Sequence, residues 1–201
     1  MPKLAMQQGE SLGLFGLHLG PATAVVFENR DGEVIDDWMD GHDRDEYDQI
    51  ALMCYWLDEK IIRAPDPVRI AQIYQEYEDS PGETISDLVV VRREIIRAEP
   101  IAAMISRAVA VTGVRHVNVA ADFADPTVFE NVGSLLVDCP LTSLHLSARL
   151  LAASRRRPDS SDGVVIEQLP REPWMPSVIR RRVFGNPPSP DEIPNLGRQL
   201  Q

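Results

Sequence analysis

The sequence predicts an α/β protein, a mixed sheet with helices on its faces, followed by an extended C-terminal arm. Three observations carry this. Short β-branched and apolar runs open the chain at Leu14–Leu19 and Thr23–Phe27. From Asp87 onward such runs alternate with helical patterns, the order that builds parallel strands with helical crossovers. After Pro158 the texture changes, with 8 of the chain's 16 prolines in residues 158–201. Pro-rich chain does not easily build a core of its own.

The elements follow in order. Residues 1–12 are polar and aperiodic and read as a flexible lead-in. Leu14–Leu19 reads as a strand broken by Gly20-Pro21, and Thr23–Phe27 as the next. The run NRDG, Asn29 to Gly32, places Gly for a turn, so Glu33–Trp38 is expected to return antiparallel. These three strands make an antiparallel meander. Ile50, Met53, Leu57 and Ile61 share one helical face, so a helix is expected there, ending before Pro65. Asp66-Pro67 has the form of a helix start, and a second helix is expected to about Tyr77.

Asp87–Val91 (DLVVV) suits a strand buried on both faces. Glu99-Pro100 opens a helix that Gly113 closes. Val114–Ala121 is the next buried strand. Asp125-Pro126 starts a short helix expected to end at Gly133, and Leu135–Val137 reads as a brief extended piece. Thr142 and Ser143 are placed to cap a last helix running to Arg157, whose Arg155–Arg157 would suit its C-terminal dipole. In the arm, Val164–Ile166 and Val178–Val183 read as short extended pieces. Trp174, Val178, Ile179 and Phe184 are more apolar than disordered chain usually is, which favours a docked arm.

Composition narrows the function. The 201 residues are 44% apolar and 25% charged, as in ordinary globular proteins. No apolar run approaches the roughly 18 residues that span a bilayer, and the first residues do not read as a convincing signal peptide, so neither secretion nor a transmembrane segment is expected. Cys54 and Cys139 stand apart from each other and from any metal-ligand spacing, as buried free thiols do. The net charge is −11, with 12 Lys/Arg against 25 Asp/Glu in residues 1–150. An acidic body argues against a broad nucleic-acid face. Glu28–Asp48 holds ten acids against two Arg. It reads as a solvated hairpin and helix start or, more sharply, as a surface for a basic partner.

Four stretches carry a resemblance: GLHLGPATAVVF, DGEVID, DLVVVRREIIR and HLSARLLAASRRR. Together, over residues 13–157, the chain resembles RuvC-type resolvases of ribonuclease H-like fold, especially the small versions of tailed phages of actinobacteria. The resemblance implies a ribonuclease H-like mixed sheet over residues 13–157. It also implies a site of carboxylates holding two divalent metals that activate water. Carried over residue by residue, those acids fall on His18, on Arg92 and near Ser147 or Ala148. None is a carboxylate, and hard cations want oxygen ligands. His18 then reads as a core or edge histidine. Glu94, two residues past Arg92, and Asp122, at the next strand's end, are the acids from which a relocated site could form.

The expectation is therefore a non-catalytic scaffold with no cofactor. Its concrete form is a tailed-phage virion structural or assembly protein, in a virion or the host cytoplasm. It would dock on protein partners, other virion proteins or copies of itself, through Trp174, Arg180, Arg181, Arg182 and Phe184, since Trp and Arg recur at binding hot spots. The Arg triplet could equally fold back on the chain's own acids. The alternative is a Mg- or Mn-dependent nuclease or Holliday-junction resolvase, with metal at Glu94, Asp122 or Asp87. A third reading is a regulatory module that binds a host protein through the acidic hairpin.

Overall fold

The computed structural model describes residues 3–8, 19, 22–40, 49–62, 68–79, 84–150 and 175–185. Its sheet has seven strands: β1 (Lys3–Gln8), β2 (Thr23–Glu28), β3 (Ala51–Ile62), β4 (Val68–Glu78), β5 (Asp87–Ile95), β6 (His116–Ala124) and β7 (Ser143–Leu150). Their order across the sheet is β1-β7-β6-β5-β2-β3-β4. Every neighbouring pair is parallel except the β3–β4 hairpin.

The Val-rich run of β5 sits mid-sheet, as its composition demands. Leu88 and Val90 join one core and Val89 and Val91 the other. On the first face lie α2 (Ala98–Thr112) and α3 (Pro126–Leu135), packed with Ile101, Met104, Ile105 and Phe129 inward. On the second lie α1 (Gly32–Asp40) and α4 (Ser177–Phe184), with Ile35, Trp38, Val178 and Ile179 inward. The ends of α2 and α3 follow their sequence signals. Gly113 closes α2 with φ of 72°, and Asp125 caps α3 by accepting the Thr127 N–H at 2.9 Å.

Several expectations are corrected. Glu33–Trp38 is part of helix α1, so the chain runs β2–α1–β3 with β2 and β3 parallel, in place of an antiparallel meander. Its burial repeats helically at Ile35, Trp38 and Met39. The expected helices at 50–61 and 66–77 are β3 and β4. Ile50 to Leu57 is a continuous apolar run, buried throughout, which is the signature of a central strand. The expected last helix is instead β7 over Ser143–Leu150, where Leu144, Leu146 and Ala148 alternate inward. Gly133 lies buried inside α3 rather than ending it, and Leu135–Val137 forms the end of α3 and a turn. Val178–Val183 is helical, so this part of the arm is not extended. Lys3–Gln8 supplies an edge strand beside β7, so the lead-in contributes to the sheet. Residues 14–18, Val164–Ile166 and Arg155–Arg157 lie outside the described residues.

Helix α4 closes over α1 at one tight point. A Cβ on Gly32 would stand 2.6 Å from the Pro176 Cβ. The proline ring cannot rotate away, so Gly32→Ala is expected to push α4 outward. Overpacking of this kind costs about 1–3 kcal/mol. Tryptic cleavage at Arg180–Arg182 should accelerate in this variant. An unchanged digestion rate and an unchanged urea midpoint would show that α4 does not rest on Gly32.

Candidate functional site

In an open parallel sheet, ligands bind outside the carboxyl ends of the strands, where the order reverses. Here that point lies between β2 and β5. From β2 the chain moves outward through α1, on one face, to β3. From β5 it moves the other way through α2, on the opposite face, to β6. The carboxyl end of β2 is Glu28, and Arg92 lies on β5 one position past Val91, the last β5 residue in register with β2.

These two residues meet. Arg92 Nη1 donates to Glu28 Oε2, and Arg92 Nε lies 3.1 Å from Asp31 Oδ2. The Arg93 N–H holds the other Asp31 oxygen at 3.2 Å. Arg30 Nε stands 3.4 Å from Glu28 Oε1. One strand further out, Arg97 Nη1 pairs with Glu59 Oε2 at 2.6 Å, and Lys60 Nζ lies 3.3 Å from Asp58. The inner members are buried: Glu28 is 2% exposed and Asp31 5%, with the Arg92 side chain at 16%.

Burial sets the electrostatics. It pushes the Asp31 carboxyl above its ordinary range, with the Arg92 charge opposing the shift. Glu59 is raised for the same reason, against Arg97. Burial works against the Arg92 charge, but Asp31 and Glu28 outweigh it and hold the guanidinium firmly protonated. Burial, then the carboxylates of Glu28 and Asp31, raise the Cys54 thiol far above a reactive range. A guanidinium that stays protonated cannot relay protons, and here it bridges two buried acids. The arrangement neutralises charge at the switch point.

The sequence-predicted residues distribute as follows. Arg92 is central to this network. Ser147 is half-buried on β7, in register with Ala120, and His18 lies outside the described residues. Glu94 is exposed on β5, in register with Phe123 of β6. Asp122 lies on β6 at the irregularity between Ala121 and Phe123 in its pairing with β7. Asp87 begins β5, about 23 Å of strand from Glu94. The three acids do not converge. Among the described residues, no group of three or more His, Cys, Asp or Glu is placed to hold a metal ion.

The C-terminal residues divide. Arg181 pairs with Asp36 and, at 3.1 Å, with Asp40. Arg182 Nε donates to Asp79 Oδ2 at 3.0 Å, and its Nη2 donates to the Ile50 carbonyl. Asp79 also accepts the Leu52 N–H at 2.9 Å and the Tyr77 hydroxyl. Ser177 donates to Asp36. Arg180 is exposed, and Phe184 is 73% exposed. Trp174 lies outside the described residues. The Arg pair thus folds back on the chain's own acids.

Reading the sequence missed Glu28, Asp31, Glu59 and Arg97. The acidic block was expected to be a solvated face or a surface for a basic partner, yet its first two acids are among the most buried charges of the described residues. The available signal was local: Glu28 directly ends the apolar run of β2, where a parallel strand delivers its last residue to the crevice.

No family model matches the sequence, and no curated protein is similar to it. Among solved structures, the chain is similar to the AQ2163 protein from Aquifex aeolicus, with a TM-score of 0.44 and 11% identity. The similarity covers 66% of this chain and 56% of that one. No described helix is long and apolar enough to cross a membrane.

Proposed function

We propose that this chain is a non-catalytic α/β scaffold that works through protein contacts. The observation that carries the reading is Arg92. Its guanidinium occupies the switch point and bridges Glu28 and Asp31, where a metal-dependent nuclease of the resembled family needs a carboxylate and a cation. The strand-end acids already have their counter-charge within the chain. Helix α4 and its cradle supply a protein-docking element, since an acid-rimmed apolar surface receives a short helix carrying two paired arginines.

The most specific form of the proposal is a tailed-phage virion structural or assembly component. It draws on the resemblance of residues 13–157 to the small RuvC-type resolvases. The scaffold reading does not need that ancestry, and the parallel β2–β3 pair departs from the meander that the ancestry leads one to expect.

The test is cleavage of branched and single-stranded DNA with Mg²⁺ and then Mn²⁺, paired with calorimetric titration of each metal. The expected result is intact DNA and no saturable heat. Cleavage abolished by Glu94→Gln, Asp122→Asn or Asp87→Asn would establish a relocated nuclease site and overturn the scaffold.

A further inference from the structure

Helix α4 reaches its cradle from far along the chain. The polar contacts join residues 177–182 to Asp36, Asp40, Ile50 and Asp79. Val178 and Ile179, 1% and 0% exposed, enter the core beside Ile35, Trp38 and Met39. An isolated eight-residue helix is not stable in water, so α4 is helical because the cradle holds it. The cradle reads a defined pattern: a proline against Gly32, two apolar residues, then arginines meeting three aspartates.

Residues 151–174 join β7 to this helix. About two dozen residues reach as far as roughly 80 Å when extended. A domain of this size is about 40 Å across. The connection is therefore long enough for α4 to reach either its own cradle or that of a neighbouring copy, and the contacts are identical in both. What decides is concentration. A tethered helix faces its own cradle at an effective concentration on the order of millimolar. A second copy competes only when it is present at a similar level, as in an assembly.

We propose that the cradle formed by α1 and the adjoining ends of β3 and β4 is an interaction surface whose partner is the α4 helix of a second copy. Exchange of α4 then links crowded copies, while dilute chains close on themselves. The inference rests on the scaffold reading and gives it a partner, a second copy of this chain.

Full-length chains carrying Asp36→Cys are mixed with full-length chains carrying Ser177→Cys, both with Cys139→Ser, and a short thiol cross-linker is added. Arg181 keeps Asp40, and the apolar contacts remain. At about 1 mM chain, linkage between chains is expected, falling at least about tenfold at about 10 μM as the tethered helix wins. The double variant Asp36→Cys/Ser177→Cys should close within one chain at the lower concentration. Closure within the chain but no linkage between chains at 1 mM would confine α4 to its own cradle and overturn exchange. Linkage that persists when Arg181→Glu is added to the Ser177→Cys chain would report random collision and overturn it too. DNA cleavage in the preceding test defeats the scaffold reading separately.

Discussion

Replacing Arg92 with methionine is expected to lower stability by about 3–5 kcal/mol at neutral pH, the range for removing one partner of a buried ion pair. Methionine keeps much of the apolar stem, so the loss is chiefly that of charge. Glu28 and Asp31 would be left facing each other, 2% and 5% exposed, with the guanidinium between them gone. The pH dependence has a definite sign. The Asp31 carboxyl is already raised by burial, and Arg92 is the charge that most opposes the shift. In the variant its folded pKa rises further above the unfolded value. A carboxyl raised on folding favours the native state when protonated, and that advantage is lost as pH rises through its folded value. The deficit of Arg92→Met should therefore shrink as pH falls from 7 towards about 4. Urea unfolding of both proteins across that range measures it. A deficit under about 1 kcal/mol at pH 7 would mean that water already compensates the two acids.

Arg92 also shows where legibility ended. The sequence identified it as a cation standing where a carboxylate was expected, but its partners lie on β2 and in the turn after it, about sixty residues earlier. Such a pairing is fixed by sheet order, and sheet order depended on elements read with the wrong period. The strand at Asp87–Val91, the helix opened at Glu99-Pro100 and the helix start at Asp125-Pro126 were legible because local signals agreed: a Val-rich run, a helix closed by Gly113, and an Asp cap ahead of Pro126. Ile50–Ile61 was not, because apolar residues on both faces of a buried strand contain a helical subset by chance. Glu33–Trp38 failed for the opposite reason. The turn signal of NRDG was weighed above the helical spacing of Ile35, Trp38 and Met39, and Gly32 serves close approach to Pro176 with a φ in the helical region. Strand β7 carried strict alternation from Leu144 to Arg149, and the capping signal at Thr142 and Ser143 hid it. The α/β class with a mixed sheet survived these exchanges of helix for strand, since enough βα alternation remained, while the antiparallel meander did not. The site did not, since it is assembled from strand ends.

Trp56→Ala and Phe129→Ala are each expected to cost about 3–5 kcal/mol, the range for emptying a large aromatic site, yet with different local consequences. Trp56 is 1% exposed in the core shared by α1 and α4; Phe129 is equally buried in the core beneath α2 and α3. The sheet separates the two. A cavity at Trp56 weakens the floor on which an eight-residue helix depends for its order. Under conditions where both variants remain folded, Trp56→Ala should speed tryptic cleavage at Arg180–Arg182 by tenfold or more if as little as about 1.4 kcal/mol of the loss falls on α4 docking. Phe129→Ala should leave that cleavage at the wild-type rate. Equal acceleration in both would mean that α4 opens only with the whole domain. It would then be a fixed part of the core, and exchange between copies would require global unfolding. A difference would make α4 a separately opening unit, the property that a docking helix needs and a core helix does not.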